Sequence, residues 1–386
     1  MSSVSPRSIL CVHPNKELYG SDRTFLQAVR AFRARWPAAA ITALIPGEGL
    51  LAGELRREGV NVRFDDLFAL RRSHLSDLPR RLWALRRRIA VASAQMRDHD
   101  LVYINTIVLL DFLLASRGRR GATLIHVHEL PVGRARRAFA ALLALSRGRV
   151  VFISDAVRRA FGADPARARI VWNGTRPFAA PALSAEPRPL RVLVIGRFNA
   201  WKGQGVLIDA LALMLPAQRT RFEVRIVGSA FEGQDHFTAA ITDAIAAHAL
   251  GDLVDVQPFA VKPDAHYRWA DVVVVPSVKP EPFGLVAIEG MAAGRAVIAS
   301  DHGGLSEIVV DGETGTLVPP ADAAALARAL NRYADDRALL QRHGAAGQQR
   351  FEAEFDERIH MAHLADAAAS TLNETRAAHV RRAAHA

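Results

Sequence analysis

The sequence predicts an α/β protein with two doubly wound domains in tandem, and three observations carry that expectation. The chain has 386 residues, more than one hydrophobic core usually serves. Short apolar runs alternate with longer amphipathic ones, the rhythm of parallel strands joined by helices. That rhythm breaks once, at a stretch rich in proline and alanine, and then restarts.

In the first half the strand-like runs are SILCVH, AAITALIP, NVRF, LVYIN, TLIHVH, RVVFIS and ARIVWNG. TFLQAVRAFRARW has helical spacing, and helical stretches separate most of the other runs. Strands this apolar suit a parallel sheet covered on both faces. TRPFAAPALSAEPRP, residues 175–189, has no periodicity and reads as a linker. Beyond it LRVLVIG, FEVRIVG, LVDVQPF, DVVVVPS, RAVIAS and TGTLVPP read as strands. GVLIDALALML, FTAAITDAIAAHA, YRWA, GLVAIEGMAAG and AAALARALNRYA read as helices. From about residue 352 the pattern is a helix ending in a loose basic tail, HVRRAAHA. Domains are therefore expected at 1–180 and 190–355, with 356–386 as a terminal helix and tail. Such sheets bind ligands beyond the carboxyl ends of their strands, at helix N-termini. Two facing domains would form an interdomain cleft.

Composition bounds the function. Half of the residues (50%) are hydrophobic and 23% are charged, as in ordinary globular proteins. No apolar run reaches the roughly 18 residues of a spanning helix. The start, MSSVSPRSILCVH, lacks a basic segment followed by a long apolar one, so no secretory signal is expected and the expected location is cytoplasmic. The single cysteine, Cys11, lies in an apolar run; it gives no disulfide within the chain and no metal cluster. A net charge of +11 and a pI near 10.7 point to an anionic partner. Lysine occurs only at 16, 202, 262 and 279, so 46 of the 50 basic residues are arginine. With so much alanine, that bias fits GC-rich coding, and arginine abundance alone says little.

Six stretches carry candidate chemistry. GRFNAWKG, residues 196–203, follows a strand and leads into a helix. Arg197 and Lys202 there either cradle a phosphate or are surface cations on a solvated loop. Gly203 and Gly205 form a lone GxG, not a dinucleotide fingerprint. In SDHGGLSEIVVDG, Gly303 and Gly304 precede a helix, so backbone amides can approach an anion or simply form a tight turn. In EPFGLVAIE the helical neighbours of Glu289 are Leu285, Val286, Ala292 and Ala293, none able to pair with a carboxylate. Glu289 therefore faces water or bonds a group outside its helix, and paired ribose hydroxyls would suit it. Glu281 reads as a second ligand contact, as a surface partner of Lys279, or with Glu289 as an acid/base pair. In LIHVHEL, His126 and His128 share one face of a strand, either as structural histidines or, at the strand end, as sugar contacts; His128 is the better placed. LYGSDRTF puts Gly20 before a helix capped by Ser21 or Asp22, with amides that would face the cleft. Residues 71–90 hold seven arginines and one aspartate, with Leu75, Leu78, Leu82, Leu85 and Ile89 on one face. That helix either packs on its domain or lies on an anionic membrane surface, aided by RGRR (117–120) and RARR (134–137). Asp98-His99-Asp100 resembles a metal-holding D-x-D pattern but lies at the amino end of a strand, so it reads as a turn.

Together GRFNAWKG, the run ADVVVVPSVKPEPFGLVAIEGMAAGRAVIASDHGGLSEIVVDGETGTLVPP (270–320), and HVHEL, FISDAVRRAF and VWNG resemble retaining glycosyltransferases of family 4, of GT-B fold. The resemblance spans nearly the whole chain and is tightest in its second half. It implies an acceptor-side first domain, a second domain that binds a nucleotide-diphosphate sugar, and a terminal helix that crosses back to the first. By position Arg197 and Lys202 match diphosphate-binding cations, Glu289 the carboxylate on the ribose, and Glu281 a contact to the donor sugar. Gly303, Gly304 and Leu305 match the loop at the sugar and phosphates. Gly20 matches a loop near the donor phosphate, and His128, with His126 as the alternative, a histidine near the reacting sugar. The implied catalytic set is His128, Glu281, Arg197 and Lys202; the donor set shares Arg197, Lys202 and Glu281 and adds Gly20, Phe283, Gly284, Leu285, Glu289, Gly303 and Gly304. The resemblance also implies retention of configuration, no required metal or other cofactor, a hexose as the group moved, and a glycan or lipid-linked acceptor in surface polysaccharide or glycolipid synthesis. Two departures are Ala296, where a proline is usual, and a single Gly20, where many members have two glycines. A rival enzyme of the same fold would isomerise or hydrolyse the nucleotide sugar instead. A nucleic-acid partner is not expected, because aromatic residues make up only 7% and do not interleave with the basic patches.

Overall fold

The computed structural model describes residues 5–18, 20–70, 78–164, 167–178, 180–181, 188–260 and 262–383. The chain divides into two compact units, Met1–Asn173 with Arg358–Ala386, and Gly174–Glu357.

The first unit alternates strands and helices: β1 (Ser8–Val12), α1 (Gly20–Arg35), β2 (Ala40–Ile45), α2 (Leu50–Arg57), β3 (Asn61–Phe64), α3 (Leu78–Arg97), β4 (Leu101–Ile104) and α4 (Leu110–Ala115). It continues through β5 (Ala122–Val127), α5 (Gly133–Leu145), β6 (Arg149–Phe152), α6 (Asp155–Phe161) and β7 (Ala168–Ile170). The strands form one parallel sheet in the order β3-β2-β1-β4-β5-β6-β7. β4 and β5 are buried at every position, which is why their sequences are continuous apolar runs. Strand order reverses between β1 and β4, the switch point where such sheets bind ligands.

The second unit repeats the plan with β8 (Leu190–Ile195), α7 (Gln204–Ala212), α8 (Pro216–Arg219), β9 (Phe222–Val227), α9 (His236–Ala247), β10 (Val254–Gln257), α10 (Asp264–Trp269) and β11 (Val272–Val275). Then follow α11 (Leu285–Ala292), β12 (Ala296–Ser300), α12 (Leu305–Ile308), β13 (Gly315–Val318), α13 (Ala323–Asp335) and α14 (Arg337–Arg350). The sheet order is β10-β9-β8-β11-β12-β13, again parallel, with its switch point between β8 and β11. α13 and α14 start on aspartate caps: Asp322 accepts from the Ala325 amide (2.8 Å) and Asp336 from that of Leu339 (2.7 Å). A π-helical turn at Phe351–Phe355 leads to α15 (Glu357–Ala383), which buries Leu364, Ala368 and Leu372 in the core of the first unit.

Four expectations change. The tail HVRRA is helical through Ala383, because alanine-rich sequence sustains the helix beyond its packed half. The front of the supposed linker is fixed to the second unit: Thr175 bridges to Asp356, Arg176 pairs with Asp264 (2.8 Å), and the Phe178 ring meets Tyr267. Residues 179 and 182–187 of that stretch lie outside the described residues. Neither Ser21 nor Asp22 stands ahead of α1, which already begins at Gly20; the Asp22 carboxylate turns inward instead. On α3, Arg88 is no surface cation, since it pairs with Asp65 (3.0 Å) and lies 3.6 Å from the buried Asp111. Leu85 and Ile89 are half-buried, whereas Trp83 is 90% exposed and Arg86 and Arg87 face solvent. Leu75 lies outside the described residues. No helix among the described residues is long and apolar enough to cross a membrane.

Candidate functional site

In the second unit three loops leave the carboxyl ends of the adjacent strands β8, β11 and β12. The first, GRFNAWKG, folds on Asn199, whose side-chain oxygen accepts from the amides of Trp201 (3.1 Å) and Lys202 (3.0 Å). It is fastened to the second loop by the Val278 amide donating to Trp201 O (2.8 Å). Gly203 has φ +75°, and a Cβ there would fall 1.8 Å from Pro276 O, so only glycine fits. The second and third loops are joined by the Gly304 amide donating to Glu281 O (2.8 Å). Gly303, at φ +60°, would put a Cβ 2.4 Å from that same oxygen. The local sequence therefore specifies three loops in contact, each ending at a helix N-terminus: α7, α11 and α12.

This packing brings Lys202 to Glu281. Lys202 Nζ donates to Glu281 Oε1 at 2.7 Å, and Ser277 Oγ donates to the same oxygen at 2.5 Å. The Glu281 side chain is 7% exposed and that of Lys202 25%. The surface pairing with Lys279 is thus replaced: Glu281 lies inward, between the ammonium and a buried hydroxyl. Glu289 does bond outside its helix, as its apolar neighbours require; Tyr267 Oη on α10 donates to its Oε2 at 2.5 Å. Glu281 and Glu289 have different partners, so the geometry does not join them as an acid/base pair. The Arg197 guanidinium stacks 3.4 Å from the centre of the half-exposed Phe231 ring. Phe283 turns into the core, 3% exposed and edge-on to Phe355, because its loop closes over an apolar patch. Its ring is therefore core rather than part of an open binding face. Gly284 stands ahead of α11, and Leu285 begins it.

The first unit gathers polar side chains at the carboxyl ends of β1, β4 and β5. Asn105 is the hub: its Nδ2 donates to His13 Nδ1 (2.9 Å), and its Oδ1 accepts from Tyr103 Oη (2.7 Å) and His128 Nε2 (2.8 Å). With Nδ1 accepting, His13 donates through Nε2 to Asp22 Oδ1 (2.7 Å). Tyr103 Oη in turn accepts from His126 Nδ1 (2.7 Å), which leaves His126 Nε2 buried without a partner among the described residues. The rings of His126 and His128 are 4.1 Å apart, as their shared face requires. Burial, reinforced by the neighbouring histidines, pushes His128 down to about 3 and His126 well below its ordinary range. His360, on α15, is pushed down to about 4 by burial. His126, His128 and His360 are therefore neutral near pH 7 and offer hydrogen bonds rather than cations. Next to it Glu129 is pushed up to about 7 by burial, although the amides of His128 and Ile107 favour its charge. Thr106 donates to Glu129 from a backbone at φ +150°, a strained conformation for a β-branched residue at a strand end. Gly20 starts α1, and the next residue's carbonyl, Ser21 O, accepts from Asn105 (3.3 Å).

Asp100 holds the amides of Arg7 (2.6 Å) and Ser8 (3.1 Å) at the amino ends of the strands, as a turn residue does. The described residues contain no group of three or more His, Cys, Asp or Glu arranged to hold a metal. His13, Asn105, Asp22, Ser277 and Tyr267 were not singled out for these roles in the sequence. Their signal was faint: His13 and Asn105 directly follow apolar strands, and Ser277 comes two residues after one.

Residues 176–350 match the family described as Glycosyl transferases group 1. The glycogen synthase of Mycobacterium tuberculosis is 32% identical over 210 residues, 53% of this chain and 49% of that protein. The phosphatidyl-myo-inositol mannosyltransferase of Mycobacterium leprae is 35% identical over 210 residues, 52% of this chain and 54% of that protein. The chain thus spans about half the length of these relatives. The crystal structure of Anabaena Alr3699/HepE in complex with UDP and glucose is similar with a TM-score of 0.76 at 22% identity, covering 93% of this chain and 98% of that one. The fold is that of GT-B proteins, two parallel-sheet Rossmann-like α/β domains.

Proposed function

We propose, from a second unit that carries a glycosyl transferases group 1 domain, that the protein is a retaining glycosyltransferase. It moves a hexose from a nucleotide-diphosphate sugar to a glycan or lipid-linked acceptor of surface polysaccharide or glycolipid synthesis. The observation that carries this reading is the meeting of Lys202, Glu281 and the Gly303–Gly304 backbone at the carboxyl ends of β8, β11 and β12. The UDP and glucose bound by Alr3699/HepE support the donor class.

Each group has a role in the proposal. The Lys202 ammonium, the Arg197 guanidinium and the N-termini of α7 and α11 stabilise charge that builds on the leaving diphosphate. That is the work a divalent metal does in other enzymes, so turnover is expected to persist in a chelator. Glu289, oriented by Tyr267, accepts from the ribose hydroxyls. Glu281 keeps the ammonium in place and receives hydroxyls of the hexose. Attack comes from the face the diphosphate leaves, and the diphosphate oxygen takes the acceptor's proton, which retains the anomeric configuration. Neutral His128 bonds the reacting sugar. The exposed Trp83, Arg86 and Arg87 would hold the protein against an anionic membrane at the cytoplasmic face.

Product analysis by NMR tests the proposal. Nucleotide sugar incubated with and without acceptor glycan, in chelator, should give an acceptor-dependent product of retained configuration. Equal donor consumption without acceptor would exclude transfer, and an inverted product would exclude the retaining mechanism.

A further inference from the structure

The first unit has a second concave feature, at the amino ends of β1, β4 and β5. It lies one strand length, roughly 15–20 Å, from the histidine cluster. The cavity is about 860 Å³, large enough for an organic molecule of the size that binds in protein pockets. Five arginines line it: Arg7 before β1, Arg97 at the end of α3, Arg119 and Arg120 before β5, and Arg376 on α15. Pro6, Met96, Ala122 and Leu372 give it apolar walls. None of these residues has been assigned to the transfer chemistry.

The arginines divide by role. Arg119 is structural, since its two terminal nitrogens donate to Met96 O and His99 O and so cap the carboxyl end of α3. Its Nε is buried without a partner among the described residues. Arg7, Arg97, Arg120 and Arg376 are exposed and have no ion-pair partner among the described residues. Asp100 is the one carboxylate among the lining residues, and it already accepts from the amides of Arg7 and Ser8. Four uncompensated guanidinium groups around one concavity repel each other, and a bound anion relieves that repulsion. Planar guanidinium forks match phosphate oxygens, and the apolar walls suit a ligand with a carbon frame rather than a bare ion.

We propose that this cavity is a binding site for a phosphorylated organic anion, separate from the donor-binding loops of the second unit. A soluble polyol phosphate and the headgroup of an anionic lipid share that chemistry.

The test uses the full chain and does not read activity. Inositol hexakisphosphate is titrated by calorimetry, and vesicles of phosphatidylglycerol in phosphatidylcholine are titrated separately by sedimentation. Three proteins are compared with the parent. One carries Arg97→Gln, Arg120→Gln and Arg376→Gln. A charge-matched control carries Arg328→Gln, Arg332→Gln and Arg342→Gln, exposed on α13 and α14. The third carries Lys202→Gln. All substituted arginines are exposed, and melting curves check that each variant is folded. The cavity variant should bind one of the two probes about tenfold more weakly, the control and Lys202→Gln should match the parent, and the probe affected names the ligand's source. Equal weakening in the cavity variant and the control would mean unspecific charge attraction and overturn the site. Loss in Lys202→Gln alone would put the probe on the donor loops and overturn it equally. Because Lys202→Gln reports on the donor loops, failure here is distinguishable from failure of the proposed function.

Discussion

Removing the ammonium of Lys202 leaves a carboxylate with little water around it. The Glu281 side chain is 7% exposed and would keep one side-chain donor among the described residues, the Ser277 hydroxyl. Breaking a fully buried ion pair by deleting one partner costs about 3–5 kcal/mol. Lys202 is 25% exposed, so water partly reaches the carboxylate in its absence, and Lys202→Met should cost nearer ~2–3 kcal/mol. Glu281→Gln keeps the Ser277 bond and leaves an ammonium that solvent can reach, for about 1–2 kcal/mol. The double variant buries no unpaired charge, so its loss should fall short of the sum of the two by ~1–2 kcal/mol. Calorimetric melts of the full chain measure this, at roughly 2–4 °C per kcal/mol for a unit of this size. Hydrogen exchange at β8 and β11 amides assigns the transition to the second unit. Effects that add to within about 0.5 kcal/mol would refute the claim that the two side chains act as one pair.

Four further outcomes follow from the same structure. Glu289→Gln should weaken nucleotide binding about tenfold, read by titration, with a melting temperature close to the parent's; unchanged affinity would remove its ribose role. Glu129, pushed up to about 7 from an ordinary 4.5, contributes stability that is present below pH ~4.5 and lost as pH rises through 7. Glu129→Gln should therefore stabilise the protein by about 3 kcal/mol at pH 8, with the gain gone by pH ~4.5; a pH-independent effect would contradict its buried protonation. His128 and His360, held near 3 and 4, contribute stability that is present above about 6.5 and lost as pH falls toward those values. In the Glu129→Gln background they should cost about 4 kcal/mol together at pH 5, measured by denaturant titration, and an acid-insensitive variant would sink that account. Replacing Trp83, Arg86 and Arg87 with alanine should reduce sedimentation with anionic vesicles, whereas Arg88→Ala should mainly lower the melting temperature by unpairing Asp65 and Asp111.

The strands were legible because parallel strands, covered on both faces, must be apolar throughout, as LVYI and VVVV are. α14 was not separated as a helix, because Gly344 and Gly347 interrupt its apolar stripe; its best signal was the aspartate cap at Asp336. The site was legible in part. Glu289 stood out as a carboxylate among apolar helical neighbours, which required a partner elsewhere, but periodicity could not name Tyr267 on α10. Lys202 and Glu281 were each found in a loop at a strand end, while their pairing across 79 positions depends on two loops meeting in three dimensions. The histidine hub was half visible: His126 and His128 declared a shared face, but Asn105 and His13 joined them only through sheet order. Asp22 looked like a cap because local pattern favours that role, and the partner that turns it inward, His13, lies on another element.

The most direct test of the central claim is thermal stabilisation of the pure protein by UDP, GDP, ADP, dTDP and CMP, first in chelator and then with added magnesium. A ligand that binds only the folded state raises stability by mass action. The account predicts one nucleoside diphosphate that stabilises strongly in chelator, and a shift that is reduced in Arg197→Ala, Lys202→Ala and Glu289→Gln. A shift that leaves all three variants unchanged, or that appears only with magnesium, would contradict it.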